Sequence, residues 1–462
     1  MFHESSNNEL RSPIMWFGEG SYDFGSYSNA HCRFSKEEDP VVFEFKWHSL
    51  QKRINSSCEG CPLFDRIMLG YLDASEYKLS IAINSDERGD YLEEVLISGN
   101  NHIMNVKSSK DRRLTFYLDG KIIKTKTVYW DYKTEGILPN IKFKDNHYYP
   151  TSDIQRLINS LIPDDLQNGL KNFDYVKLYN VKSPNPQDIY SYYEKNRNNN
   201  PFMDFIVKAY GADSKEFVTL CNNINLSILI YVLSYADKYL NYAFGQFSYM
   251  LPVRHVFGRY IRNKNMSVEK IEPSGKNVAE FILSLNEKEL DDFNEFVHRV
   301  LEISITVEGA DNKSVYVISE WGKDNIIDVG YGYSQIMPIV TTLWNIARIK
   351  RSCEFPSIIV IEQPEVHLHP SMQGDIAKLI VEAMKLAKQK KANVQIFVET
   401  HSEAFISRLG RYLRIKEKSY NVVSPEDVSV LLFEKTSAGS KITTTSYNQD
   451  GYIQKWPIGF LD

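Results

Sequence analysis

Apolar and polar positions change rhythm three times along this chain. Up to about residue 150, short aromatic and β-branched runs alternate with turn residues, which is the pattern of antiparallel strands. Val41 to Trp47, Tyr77 to Ile83, Leu114 to Tyr117 and Ile122 to Trp130 carry that pattern. Asp119-Gly120, between the last two runs, is a strong hairpin signal. From about Ser152 the period turns helical, first in Asp153 to Ile162, which Pro163 ends. Ser183 to Pro201 is polar, with Asn and Pro, and reads as a loop or linker. Phe202 to Ala209 and Phe217 to Phe244 read as helices, and Asn277 as the N-cap of a helix from Val278 to Leu285. Short strands are expected at Leu301 to Val307, Val315 to Ser319 and Ile326 to Val329.

The third rhythm alternates strand and helix. A helix from Gln335 to Ile349 leads to a strand at Ile358 to Ile361, and a helix from Ser371 to Lys388 follows. The strand Val394 to Val398 and the helix Ser402 to Ile415 come next. That order implies a parallel sheet with right-handed crossovers, an α/β core. The tail from Val428 to Trp456 reads as a small set of strands.

Three stretches of this last part carry chemistry. In Ser357 to Pro370 an unbroken β-favouring apolar run reads as a strand buried on both faces. The polarity then flips at Glu362, Gln363 and Glu365, where open α/β sheets bind their ligands. Carboxylates there suit a Mg²⁺ shell and an oriented water, against the plainer reading of a solvated turn. Gly330-Tyr331-Gly332-Tyr333-Ser334-Gln335 offers backbone N–H groups and a hydroxyl at a helix start, an anion site or simply a glycine turn with a Ser N-cap. Val398-Glu399-Thr400-His401-Ser402 repeats the strand-end polarity one strand later, with His401 placed to sense a phosphate. His367 and His369 lack a third ligand nearby and read as structural.

Composition changes the picture little. Charged residues make up 24 % and apolar ones 43 %, and the net charge of -5 gives no global case for nucleic acid. Aromatics at 13 %, with 29 Tyr, suit the β-rich part. Five cysteines do not make a disulfide framework, and Cys58-x-x-Cys61 stands alone, so a reducing cytosol is expected. No apolar run reads as spanning a bilayer.

Taken in order, the three stretches resemble the ATPase core of ABC-type, SMC-like and OLD-like bacterial proteins. Gly330 to Gln335 resembles the signature motif, Ile358 to Pro364 the Walker B strand, Val366 to Pro370 the loop after it, and Glu399 to Ser402 the switch-histidine segment. A narrower resemblance is to a bacterial ATPase family sharing Glu-Gln-Pro-Glu-x-His-Leu-His-Pro and a terminal segment like Asp450 to Phe460; Met15 to Tyr27 and Leu251 to Tyr260 match it too. The resemblance implies an ABC-type ATPase head with a parallel core sheet, an antiparallel β-rich amino-terminal part and an inserted helical region. Its divisions are residues 1–150, β-rich; 151–300, a helical insertion or lid; 301–425, the ATPase core; and 426–462, a small β segment.

It also implies ATP and Mg²⁺ as cofactors, with Glu362 in the Mg²⁺ shell, His401 on the γ-phosphate, and Gly330, Gly332, Ser334 and Gln335 facing nucleotide held by a partner head. Expected partners are a second copy or another ATPase head, an effector protein or DNA, as in phage-defence relatives, with no membrane. Gln363 stands where a glutamate base is usual, and Glu365 is the nearest carboxylate that could substitute. The sequence contains no G-x-x-x-x-G-K-[ST] phosphate loop. A truncated start, a split protein and a degenerate head are the alternatives, and weak or no hydrolysis by the chain alone is expected. The rival reading is a non-catalytic scaffold that binds a partner protein.

Overall fold

The computed structural model describes residues 12–18, 22–48, 76–99, 102–123, 128–132, 137–143, 160, 183–262, 267–349, 356–414, 423–437 and 439–454. The Asp153 to Ile162 helix, apart from Ser160, lies outside them, as do Cys58, Cys61 and the last eight residues. Two compact units form, one from residues 1–17 and 23–242, the other from 18–22 and 243–462.

The first unit is built on a six-stranded antiparallel meander. Its strands are β1 (Val41–His48), β2 (Glu76–Asp86), β3 (Gly89–Gly99), β4 (His102–Ser108), β5 (Leu114–Leu118) and β6 (Lys121–Ile123), hydrogen-bonded in that order. The expected hairpin forms: Leu118 pairs with Lys121 around Asp119 and Gly120, both at positive φ, as a two-residue turn requires. The last predicted run divides into β6 and β7 (Val128–Asp131), and β7 pairs with β8 (Asn140–Phe143).

Ser183 to Pro201 is not a loop. It holds helix α1 (Pro186–Asn196), with Pro186 at its start and the Asn185 side chain accepting from Gln187 N–H. Ile189 and Tyr193, one turn apart, are its buried stripe, which the polar composition had hidden. Helices α2 (Pro201–Ala209) and α3 (Lys215–Gly245) follow as expected, within two residues. Contrary to the sequence expectation, α3 is long and apolar enough to cross a membrane by length and composition. Its Phe217, Leu220, Ile224, Ile228 and Leu229 are nonetheless buried within the molecule.

Asp237 on α3 accepts from the N–H groups of Ile137 and Leu138, each at 2.8 Å. Burial raises its carboxyl pKa, against the lowering effect of those donors. The folded state therefore holds the proton more tightly, so this group's contribution to stability falls as pH rises from about 4 through the folded pKa. Urea melts of Asp237→Asn should lack that decline, so wild type should lose ground against the variant with rising pH.

The second unit carries the parallel sheet. Strands β9 (Phe247–Met250), β14 (Ser357–Glu362) and β15 (Val394–Glu399) lie in the order β9-β14-β15, all parallel. Between β9 and β14 come β10 (Ile261–Arg262), helices α4 (Val278–Ser284) and α5 (Glu287–Leu301), and the strands β11 (Ser304–Glu308), β12 (Asn312–Ser319) and β13 (Gly322–Asn325). Those strands form an antiparallel sheet, with β12 between β10 and β11 and β13 also on β12. Ile326 to Val329 is a turn rather than the expected strand, because Asn325 turns its side chain onto Ile327 N–H.

Helices α6 (Tyr331–Arg348), α7 (Pro370–Lys390) and α8 (Glu403–Tyr412) complete the core, and β16 (Val430–Thr436) and β17 (Gly439–Thr445) form a carboxyl-terminal hairpin. The core takes Ile359 and Ile361 of β14 fully, with Val394, Ile396 and Val398 of β15 packed against it, but not Ile358, Val360 or Phe397. Among the described residues one face of the strand is therefore fully buried and the other, at Ile358 and Val360, half-buried, short of the full two-faced burial expected of its apolar run.

Candidate functional site at the strand tips

The parallel register puts Glu362 of β14 directly beside Glu399 of β15 at the carboxyl edge of the sheet. On the other side, Tyr249 of β9, in register with Val360, hydrogen-bonds the Glu362 carboxylate. Burial, that bond and the charges of Glu362 and Glu399 push the phenol's pKa up, so it remains a donor to the carboxylate. Beyond Glu362 the chain turns sharply. Gln363 sits at φ +38°, its N–H donating to Glu399 O at 2.9 Å, and His367 at φ +61° completes the reversal.

Arg254, which the sequence reading missed, holds this turn from inside. It is only 2 % exposed, and its Nη2 donates to Glu362 O at 3.1 Å. Gln335 clasps its main chain, accepting from Arg254 N at 3.2 Å and donating to Arg254 O at 3.0 Å. Burial lowers the guanidinium pKa to about 10, opposed by Glu365, so it stays charged at neutral pH. Among the described residues its Nε and Nη1 are buried without a hydrogen-bond partner. Such donors are expensive to leave unmade, so this position is held for more than packing.

Glu365 has both oxygens occupied. It accepts from Thr400 Oγ1 at 2.9 Å and from His401 N at 2.7 Å, tying the turn after β14 to the loop after β15. Ser402 continues the chain of bonds: its N–H donates to Thr400 Oγ1, its hydroxyl to Gln373, and it caps α8 at Phe405 N. His401 itself is exposed at the tip. Glu365→Ala should leave Thr400 and the His401 N–H without this acceptor and cost roughly 1–3 kcal/mol. A urea midpoint indistinguishable from wild type would contradict that clamp.

Of the glycine-rich stretch, Gly330 is the N-cap of α6 at φ +110°, so the expected Ser N-cap is displaced one turn into the helix. Gly330 and Tyr331 are exposed and Gly332 half-buried, whereas Ser334 and Gln335 are 1 % and 0 % exposed. A Cβ on Gly332 would meet Met372 Sδ of α7 at 3.1 Å, so glycine permits this close packing. Tyr331 meets His367 edge-on at 5.5 Å, which joins the start of α6 to the turn after β14. His369 caps α7, its Nδ1 accepting from Ser371 N.

The described residues include no group of three or more His, Cys, Asp or Glu able to hold a metal ion. Glu362 and Glu399, in register at the sheet's edge, are two carboxylates of the donor type that suits a hydrated Mg²⁺.

A search of curated proteins finds no match. Among solved structures, the chain is similar to the Smc head domain with an extended coiled coil bound to the C-terminal domain of ScpA from Pyrococcus furiosus. That similarity is 11% identity over 86% of this chain and 83% of that one, with a TM-score of 0.24. A second is the SmcHead bound to the C-winged helix domain of ScpA, at 10% identity over 80% and 74%, also with a TM-score of 0.24. The model of the AAA ATPase domain matches residues 88–406, which include all three motif stretches. With more than half its length matched, this chain belongs to the AAA ATPase domain family.

Proposed function

We propose that the chain is an ATPase subunit that holds Mg-ATP at the strand tips and closes on a second head around the nucleotide. The paired Glu362 and Glu399, with Tyr249 bonded to Glu362, carry this reading. Glu362 and Glu399 hold the cation through its water shell, and His401 reaches the terminal phosphate from its exposed position. Gln363 orients an attacking water but cannot take its proton, and Glu365 is occupied by Thr400 and His401. Hydrolysis by the chain alone is therefore slow. The exposed start of α6, at Gly330 to Gly332, faces the nucleotide of the partner head; Ser334 and Gln335 support it from within. Closure then acts on an effector protein or on DNA.

Sedimentation velocity of the full chain at millimolar Mg-ATP tests closure. A nucleotide-dependent dimer should form, and Tyr331→Glu, which sets a carboxylate beside the partner's phosphates, should abolish it. A dimer that persists in Tyr331→Glu and in Glu362→Gln would refute the sandwich and favour the non-catalytic scaffold.

A further inference from the structure

Beside the start of α4 the second unit holds an open cavity of about 250 Å³, walled by residues 255–262 and 275–280. None of the strand-tip residues lines it. Its floor is apolar, with Phe257, Ile261 and Ala279 all buried. The walls are fixed before anything enters. His255 N donates to Ser274 O at 2.7 Å, which ties one wall to the other, and Ile261 and Arg262 are paired with β12. Asn277 holds the loop before α4, accepting from Glu272 N and donating to Lys270 O. Gly275, at φ +72°, has Pro338 of α6 where a Cβ would stand, so the second wall rests directly on that helix. The rim is cationic. Arg262 and Lys276 are exposed there, and among the described residues neither pairs with a carboxylate. Their neighbour Arg259 differs, since its guanidinium holds both oxygens of Asp328. Tyr260, 67% exposed, adds an aromatic ring at the mouth, and Glu280 is the one acid in the lining among the described residues.

We infer that this cavity docks an acidic segment of a partner protein, with one aromatic side chain on the apolar floor and flanking carboxylates on Arg262 and Lys276. A space of about 150 Å³ already takes a benzene ring, so a cavity of this size admits one phenylalanine side chain. Charge complementarity selects the flanks, because two cations against one acid attract carboxylates and repel a basic segment. Glu280 turns the choice toward peptide and away from nucleic acid. A carboxylate repels any phosphate placed in the cavity, whereas a peptide brings main-chain N–H groups for it to accept. The Tyr260 ring packs on the anchor from the mouth, an amphipathic side chain with one apolar face to offer. That this partner is the effector rests on the reading above; the docking itself does not.

The test is fluorescence anisotropy of the full chain with a labelled Asp-Glu-Phe-Asp-Glu peptide, without and with Mg-ATP. The peptide should bind, and less tightly as salt rises. Asp-Glu-Ala-Asp-Glu and Lys-Lys-Phe-Lys-Lys should each bind roughly tenfold more weakly or worse. Tyr260→Ala, at an exposed position, should weaken the acidic peptide severalfold. The double variant Arg262→Glu, Lys276→Glu should lose the acidic peptide and gain the basic one, a reversal that a merely structural role for the two cations would not produce. Absence of binding, equal binding of acidic and basic peptides, or an unreversed preference in the double variant would overturn the inference. So would a thymidine oligonucleotide that binds more tightly than the peptide and is lost in the double variant. If the peptide fails to dock while the Mg-ATP-dependent dimer forms, the nucleotide reading stands and the docking falls. If the peptide docks and no such dimer forms, the reverse holds.

Discussion

Arg254→Ala is expected to cost about 3 kcal/mol, and Arg254→Met much less, yet both should lose the nucleotide response. The alanine leaves a cavity where a side chain only 2 % exposed had been, and it removes the donor to Glu362 O. Methionine refills most of that volume and removes the two unpaired donors Nε and Nη1, which offsets the lost bond. Stability would thus be largely restored while the turn bearing Glu362 and Gln363 loses its inner support. Urea unfolding and nucleotide-dependent sedimentation separate the two effects. If methionine restores the nucleotide response along with stability, Arg254 is only filler, and the link it makes between Gln335 and the strand tip has no functional weight.

Trp344→Ala should be the most destabilising core change, at roughly 3–5 kcal/mol. Trp344 is 1 % exposed on α6, with Phe293 at 5.0 Å and Phe281 at 6.2 Å, both edge-on. The Arg348 guanidinium lies over its ring at 4.4 Å and pairs with Glu289 on α5 at 2.8 Å. The residue thus fastens α4 and α5 to the helix that carries the glycine-rich stretch. Trp344→Phe keeps an aromatic contact and should recover more than half of the loss. A urea midpoint for Trp344→Ala near that of wild type would show that α4 and α5 are held by other contacts.

The strand–helix alternation from residue 331 to 412 was legible because its punctuation is strong. Pro370 and Ser402 each mark a helix start, and the apolar runs before them have strand length. The start of α6 was misplaced by four residues because Gly-Tyr-Gly-Tyr reads as a turn, and because Pro338 suits a first turn better than the interior where it lies. α1 was missed because two buried residues, Ile189 and Tyr193, are too few to stand out among Asn, Pro and Gln. The burial of β14's second face was over-read because Ile358 and Val360 are equally apolar in sequence whether they are fully or only half buried.

In the site, Glu362, Gln363, Glu365 and His401 announced themselves by the polarity flip at two strand ends. Tyr249 and Arg254 could not, since they reach Glu362 from more than a hundred residues away and their own neighbours in sequence are apolar or irregular. Nor does a carboxylate's residue type reveal whether its oxygens are already taken. That is what separates Glu365, clamped on Thr400 and His401, from Glu362 and Glu399 at the tip.

Mn²⁺ reports the strand-tip carboxylates most directly, because it replaces Mg²⁺ and its electron paramagnetic resonance signal shows how much is bound. With millimolar ATP, the wild-type chain should bind Mn²⁺ beyond what the nucleotide alone holds. Glu362→Gln and Glu399→Gln should each weaken that binding roughly tenfold or more, while Glu434→Gln, on the carboxyl-terminal hairpin, should leave it unchanged. Equal Mn²⁺ binding by wild type and Glu362→Gln would contradict a nucleotide–metal site at these tips.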